Sequence, residues 1–166
     1  MLRTALTSKK NASLLASVLL LAVITGCKQS EPTEPITKNL YPPTADAKAD
    51  IAAAISQASQ QHKNIILAFG GDWCAQCLVL DYYLHQPPNA QILSNNYILV
   101  HVDIGQMDHN VDIADKYQVP IKKGVPALAV LNSTGTLLFA QQNKEFEVLS
   151  AANIQSVTEF LNRWKS

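Results

Sequence analysis

Neither sign of charge prevails in this chain of 166 residues: Lys+Arg and Asp+Glu both number 13. That balance provides no net field to gather nucleic acid or another polyanion. No Gly-rich phosphate loop, dinucleotide fingerprint or serine-nucleophile motif is present. Asp103, Asp108, Asp112 and Asp115 crowd together but lack the pattern of a calcium loop, so helix capping and solvated charge are expected of them. There is no internal repeat. Cysteine is scarce at three residues, too few for a four-thiolate metal site. What the chain does have is a 48% hydrophobic share, enough for a packed core and too much for a disordered chain.

Two of the three cysteines stand three positions apart in Trp73-Cys74-Ala75-Gln76-Cys77. They follow the apolar run Ile65–Phe69 and open a stretch of helical composition. A strand feeding a helix here puts Cys74 at the helix N-terminus, where unpaired N–H groups and the helix dipole stabilise a thiolate. Cys77, one turn on, reaches the same sulfur. The pattern suits thiol–disulfide exchange: Cys74 attacks as thiolate, or is attacked within a disulfide, and Cys77 resolves the mixed disulfide. Trp73 either forms an apolar shelf beside the pair or simply packs. Asp72 is expected to be exposed, where its charge would oppose thiolate formation.

The N-terminus reads separately. Arg3, Lys9 and Lys10 precede a run from Ala12 to Ile24 that is apolar except for Ser13 and Ser17. A bilayer-spanning helix needs about 20 apolar residues, so the run has the length of a signal peptide. It ends in Ile24-Thr25-Gly26-Cys27, which resembles the lipobox of bacterial lipoproteins. The resemblance implies a signal peptide over 1–26 and a lipidated Cys27; an ordinary signal peptide or uncleaved anchor with a chance cysteine is the alternative. Lys28 is not the Asp that retains lipoproteins at the inner membrane, which favours the outer membrane, facing the periplasm. Residues 27–43 then form a tether carrying Pro32, Pro35, Pro42 and Pro43, able to reach roughly 50 Å at about 3.1 Å per residue. With one cysteine lipidated, the remaining two are the Cys-x-x-Cys pair, in a compartment where disulfides persist.

A domain is expected over 44–166. Thr44 or Asp46 caps a helix to about Gln61, with Ile51, Ile55 and Ala58 on one face. Ile65–Phe69 reads as a strand buried on both faces. The Cys74 helix runs to about His85, Pro87-Pro88 interrupts, and a short helical turn, Asn89–Ser94, leads to a strand, Tyr97–Asp103. A short helix at Asn110–Tyr117 precedes strands Pro126–Leu131 and Thr136–Ala140 about the turn Asn132–Gly135. Ile154, Val157, Phe160, Leu161 and Trp164 mark a final amphipathic helix. The first two strands should be parallel and the last two a hairpin, giving an α/β fold: a mixed sheet of about four strands between helices.

In this order the chain resembles the thioredoxin superfamily over roughly Ala47 to Trp164. The resemblance rests on Phe69-Gly-Gly-Asp-Trp-Cys-Ala-Gln-Cys77, on Tyr117-Gln-Val-Pro-Ile-Lys-Lys-Gly-Val-Pro126, and on the elements that follow. It implies a three-layer sandwich, a cis peptide bond before Pro126, and a Val125 backbone that pairs with the substrate peptide; a trans Pro126 that merely starts a strand is the plainer reading. The sequence departs from thioredoxins at Ala68, where they carry a buried Asp, at Leu78, where they usually carry Lys, and in the Ala-Gln between the cysteines. Asp-Trp-Cys-x-x-Cys also resembles the periplasmic C-terminal domain of the transmembrane thiol reductase, which has an acidic residue where Asp81 stands. Asp81 shares a helix face with the cysteines. It is either the proton acceptor for Cys77 or a solvated carboxylate.

The expected function is therefore a protein-disulfide reductase of the bacterial cell envelope, more reducing than oxidising. Cys74, Cys77 and Asp81 are its expected catalytic residues, and Trp73, Val125 and Pro126 bind substrate. Its partners would be protein thiols and disulfides, an envelope electron donor, and the membrane through lipid, but not nucleic acid. No cofactor or metal is expected beyond the redox-active Cys74–Cys77 disulfide. Two other classes compete: copper handling by the cysteines with His62, His85, His101 or His109, none at tight ligand spacing, and a non-catalytic lipoprotein that binds a partner.

Overall fold

A computed structural model describes residues 39–143, 146 and 153–166. The expected signal peptide, Cys27 and the tether before Asn39 lie outside the described residues. The centre is strand β1 (Asn64–Gly70), buried along its whole length. Strand β2 (Tyr97–Asp103) pairs parallel to it on one side. Strand β3 (Ala127–Leu131) pairs antiparallel on the other and turns back through strand β4 (Leu137–Ala140). The sheet order is β2-β1-β3-β4, the expected mixed sheet of four strands. Both central strands are apolar after Asn64 because both faces are covered, and each buried Leu, Ile or Phe contributes roughly 1.5–3 kcal/mol.

Helix α1 (Ala47–Gln61) and the short helix α4 (Val111–Lys116) cover one face. There Ile51, Ala58, Ile113 and Ala114 pack with Ile65, Leu67 and Phe69 of β1. Asp46 is the N-cap of α1, its carboxylate accepting from the N–H groups of Lys48 and Ala49 at 3.1 Å. Helices α2 (Ala75–Leu84), α3 (Asn89–Asn96) and α5 (Ile154–Trp164) cover the other face. Ile66, Ala68, Leu128 and Val130 meet Leu80, Leu84, Leu93, Val157 and Leu161 there, so alternate residues of β1 serve opposite layers. Asn153 and Ser156 form a capping box at the head of α5. The Tyr97 hydroxyl donates to the Leu161 carbonyl at 2.6 Å, tying α5 to the sheet.

Three features differ from expectation. The short helical turn expected after Pro87-Pro88 runs on to Asn96 as α3, held by the fully buried Asn89, whose amide donates to the carbonyls of Tyr83 and Ile154. The Pro87–Pro88 bond is cis. Tyr41, assigned to the tether, is instead 3% exposed and belongs to the core, so the packed domain begins before residue 44. An aromatic ring of that size is worth burying wherever the fold offers a slot.

Candidate active site

At the end of β1 the chain passes through Gly70 and Gly71 and enters α2 with Cys74 as N-cap. Cys74 and Cys77 are joined as a disulfide, with Cα atoms 5.3 Å apart, one helical turn bringing the sulfurs together as the spacing predicts. The Cys77 N–H, which also donates to the Cys74 carbonyl at 3.0 Å, lies 3.2 Å from Cys74 Sγ, so a donor of the helix head points at the outer sulfur. Both residues are buried, Cys74 at 4% and Cys77 at 1% exposed.

The Val125–Pro126 bond is cis, and the Val125 carbonyl oxygen lies 3.7 Å from Cys74 Sγ. The loop between α4 and β3 thus comes to the redox pair from 51 residues away. Trp73 is 49% exposed and its Nε1–H donates to the Gly105 carbonyl at 2.7 Å, which pins the indole at the surface over Gly71. Trp73 thus packs over Gly71 with about half of its surface open. Asp72 is exposed as expected, yet its carboxylate is engaged: Oδ1 accepts from the N–H groups of Leu40 at 3.0 Å and Tyr41 at 3.1 Å.

Asp81 is not the solvated carboxylate of the plainer reading. It is 8% exposed. His101 Nε2 donates to its Oδ1 at 2.9 Å, and His85 Nδ1 lies 3.4 Å from Oδ2 and 2.8 Å from the Asp81 carbonyl. Burial pushes the Asp81 carboxyl up, but the hydrogen bonds and charges of His101 and His85 outweigh it and hold it down to about 2. The same contact raises His85, against the smaller opposing effect of burial. Ala68, standing where thioredoxins have an acid, is paired with His101 in the sheet register. The buried carboxylate of this site comes from α2 instead.

Three residues absent from the expected site complete it. Strand alternation places His101 on the same face as Tyr97 and Leu99, towards α2. The Tyr41 ring meets the His101 ring edge-on at 5.0 Å. Its phenol is pushed above the usual range by burial and then by the charges of Asp81, Asp72 and Asp103. Gly70 leaves the room both need: a Cβ there would stand 2.7 Å from Cys77 Sγ and 2.9 Å from the Tyr41 hydroxyl.

The histidines do not gather round the sulfurs as a metal site would require. His85 and His101 turn to Asp81, and His109 Nδ1 lies 3.3 Å from Asp103. Among the described residues no group of three or more His, Cys, Asp or Glu side chains is placed to hold a metal ion. The aspartates between residues 103 and 115 act separately: Asp112 pairs with Lys48 at 2.6 Å, and Asp108 accepts from the Gln106 N–H.

A family model described as thioredoxin-like matches residues 46–133, more than half of the chain. No curated protein matches the sequence. Among solved structures, a disulphide isomerase from Xylella fastidiosa Temecula1 is 27% identical, covering 78% of this chain and 98% of its own, with a TM-score of 0.72. A thioredoxin from Thermus thermophilus is 15% identical over 68% of this chain and 81% of its own, with a TM-score of 0.50. The C-terminal domain of Neisseria meningitidis DsbD in the oxidised form is 24% identical over 58% and 83%, with a TM-score of 0.45, too loose a likeness to build on.

Proposed function

Because this chain belongs to the thioredoxin-like family and joins Cys74 to Cys77 at the head of α2, we propose that it is a thiol–disulfide oxidoreductase of the bacterial cell envelope acting on protein disulfides in the reducing direction. The observation that carries this reading is the disulfide itself, with one sulfur facing the cis-proline loop and the helix head. In the reduced protein the Cys74 thiolate attacks one sulfur of a client disulfide. The Cys74–client bond forms, the client S–S bond breaks, and the released client sulfur takes up a proton. Cys77 then gives up its proton and attacks Cys74 Sγ. The Cys74–Cys77 bond forms, the second client sulfur leaves, and two electrons have passed from the pair to the client. A dithiol donor in the envelope reduces the pair again, and no further cofactor is invoked. Val125 and Pro126 hold the client backbone beside Cys74, and Trp73 offers its exposed ring.

The same first step serves isomerisation, which the name of the Xylella fastidiosa relative favours as a second reading. In that case the client thiolate, rather than Cys77, displaces Cys74. Anchoring completes the proposal: residues 1–26 are removed, Cys27 is lipidated, and the stretch between Cys27 and the packed segment at Tyr41 spaces the domain from the outer membrane.

The Cys77→Ser variant should hold clients covalently on Cys74; absence of any adduct in the envelope overturns the proposal. Equilibration with glutathione sets the direction, and a potential near −120 mV would place the protein among the oxidants. Repair of a scrambled disulfide protein without net reduction favours the isomerase reading. Cys27→Ser should release the protein from the membrane fraction, and unchanged partitioning overturns the anchor.

A further inference from the structure

Beside the disulfide lies a set of polar side chains drawn from three parts of the chain. Cys77 and Asp81 are four residues apart on α2 and share a face. Asp81 is bonded to His101 of β2. The His101 ring meets that of Tyr41, and Tyr41 and Cys77 Sγ both crowd the position that a Cβ on Gly70 would take. His85, at the end of α2, takes the other carboxylate oxygen and is the solvent-facing member: its side chain is 53% exposed against 18% for His101.

Release of the client requires the Cys77 thiolate, yet Cys77 is buried and cannot deliver its proton directly to bulk water. Asp81 is the carboxylate on its helix face, but its charge is already claimed by two histidines, and a carboxylate so held is a weak base. Imidazole is the side chain whose proton affinity falls in the neutral range. We propose that His101 is a positioning residue of the redox site that acts through Asp81, the two together accepting the proton that Cys77 gives up as it attacks Cys74. The charged and titratable groups about His101 are then Asp81 and His85 from α2, Tyr41 from the N-terminal segment, and Cys77; Asp72 and Asp103 act on Tyr41. The proton moves from Cys77 Sγ to the Asp81–His101 pair, the Cys77 sulfur bonds to Cys74 Sγ, and the client sulfur departs with the electron pair of the broken bond. This proposal rests on the exchange chemistry above but not on its net direction, because Cys77 performs this step in every disulfide-forming turnover.

The test uses the reduced full chain and the aromatic disulfide 5,5′-dithiobis(2-nitrobenzoate). The first nitrothiobenzoate released reports Cys74, and the second reports Cys77. In the unaltered protein the second phase should rise with an inflection more than about one pH unit below that of an ordinary thiol. In His101→Gln the inflection should move towards an ordinary thiol near pH 8.5, slowing the second phase at pH 7 by about tenfold or more while the first phase keeps its rate. An unmoved second phase overturns the proposal, as does equal slowing of both phases. A larger effect from His85→Gln than from His101→Gln also overturns the assignment. Should His101→Gln not fold, ring titration of the unaltered protein by NMR decides: the His101 midpoint must differ between the dithiol and disulfide forms, and equal midpoints overturn the role. Failure of the exchange reading looks different, since neither phase would then exceed the reactivity of a free thiol.

Discussion

Around Cys74 the neighbours are backbone groups and a surface ring: the head of α2, the Val125 carbonyl and the half-exposed Trp73. Around Cys77 they are side chains: the buried Tyr41 beside Gly70, and on the same helix face the buried Asp81, which holds the half-buried His101 and the exposed His85. One bond joins two sulfurs whose surroundings differ in kind. Peptide groups belong to every sequence that adopts the fold, so the outer wall comes with the architecture. The inner wall is made of residue identities, and it is there that this chain departs from thioredoxins, with Ala68 in place of an acid and a carboxylate supplied from Asp81.

Substitutions on the two walls should separate these contributions. The largest effect belongs to the outer sulfur: Cys74→Ser should lower exchange by a factor of about a thousand or more, with no covalent adduct, whereas Cys77→Ser keeps the first attack. Mass spectrometry of trapped species distinguishes them. Next is Tyr41→Ala, which empties a slot of aromatic size and should cost about 3–5 kcal/mol in urea unfolding. It should also speed alkylation of Cys77 in the reduced protein, leaving Cys74 nearly unaffected. Gly70→Ala drives a methyl between Cys77 Sγ and the Tyr41 hydroxyl and should cost about 1–3 kcal/mol.

Asp81→Asn sharpens the comparison through pH. The Asp81 carboxyl lies lower in the folded protein, about 2, than its ordinary value of 3.8. Its contribution is therefore present above about pH 4 and is lost as pH falls through 2, an amount of roughly 2 kcal/mol. Stability measured from pH 5 to pH 2 should fall less steeply in Asp81→Asn than in the unaltered chain; parallel curves would contradict the assignment. His85 moves the other way. Its folded value is raised, so its contribution is full below about pH 6.5 and fades as pH rises through the folded value. The smallest effect is expected at Asp72→Ala, which frees the N–H groups of Leu40 and Tyr41 and should cost about 1 kcal/mol at this exposed position.

Most of the scaffold was legible. The continuous apolar run Ile65–Phe69, the Cys pair after it, the Pro126 segment and the amphipathic pattern from Ile154 to Trp164 each mark an element that the structure contains. The inner wall was not. Tyr41 stands among polar residues and prolines with no periodicity around it, so its local sequence reads as linker. His101 and Asp81 are 20 residues apart, and no spacing rule joins a strand residue to a helix residue at that distance. Asp81 was recognisable as facing the cysteines but not as buried, since burial depends on what packs over the helix.

Local order follows from the chain itself: a spacing of three puts two sulfurs one turn apart, and alternation or helical period marks which faces must leave water. Those relations act between near neighbours and need no knowledge of the rest of the molecule. Which groups meet beneath the sulfurs was decided only when β1 and β2 paired with Ala68 opposite His101 and the N-terminal segment closed over Gly70. Contacts of that kind depend on sheet register and on the entropy of closing long loops against buried area, quantities that the whole fold sets and no local stretch contains.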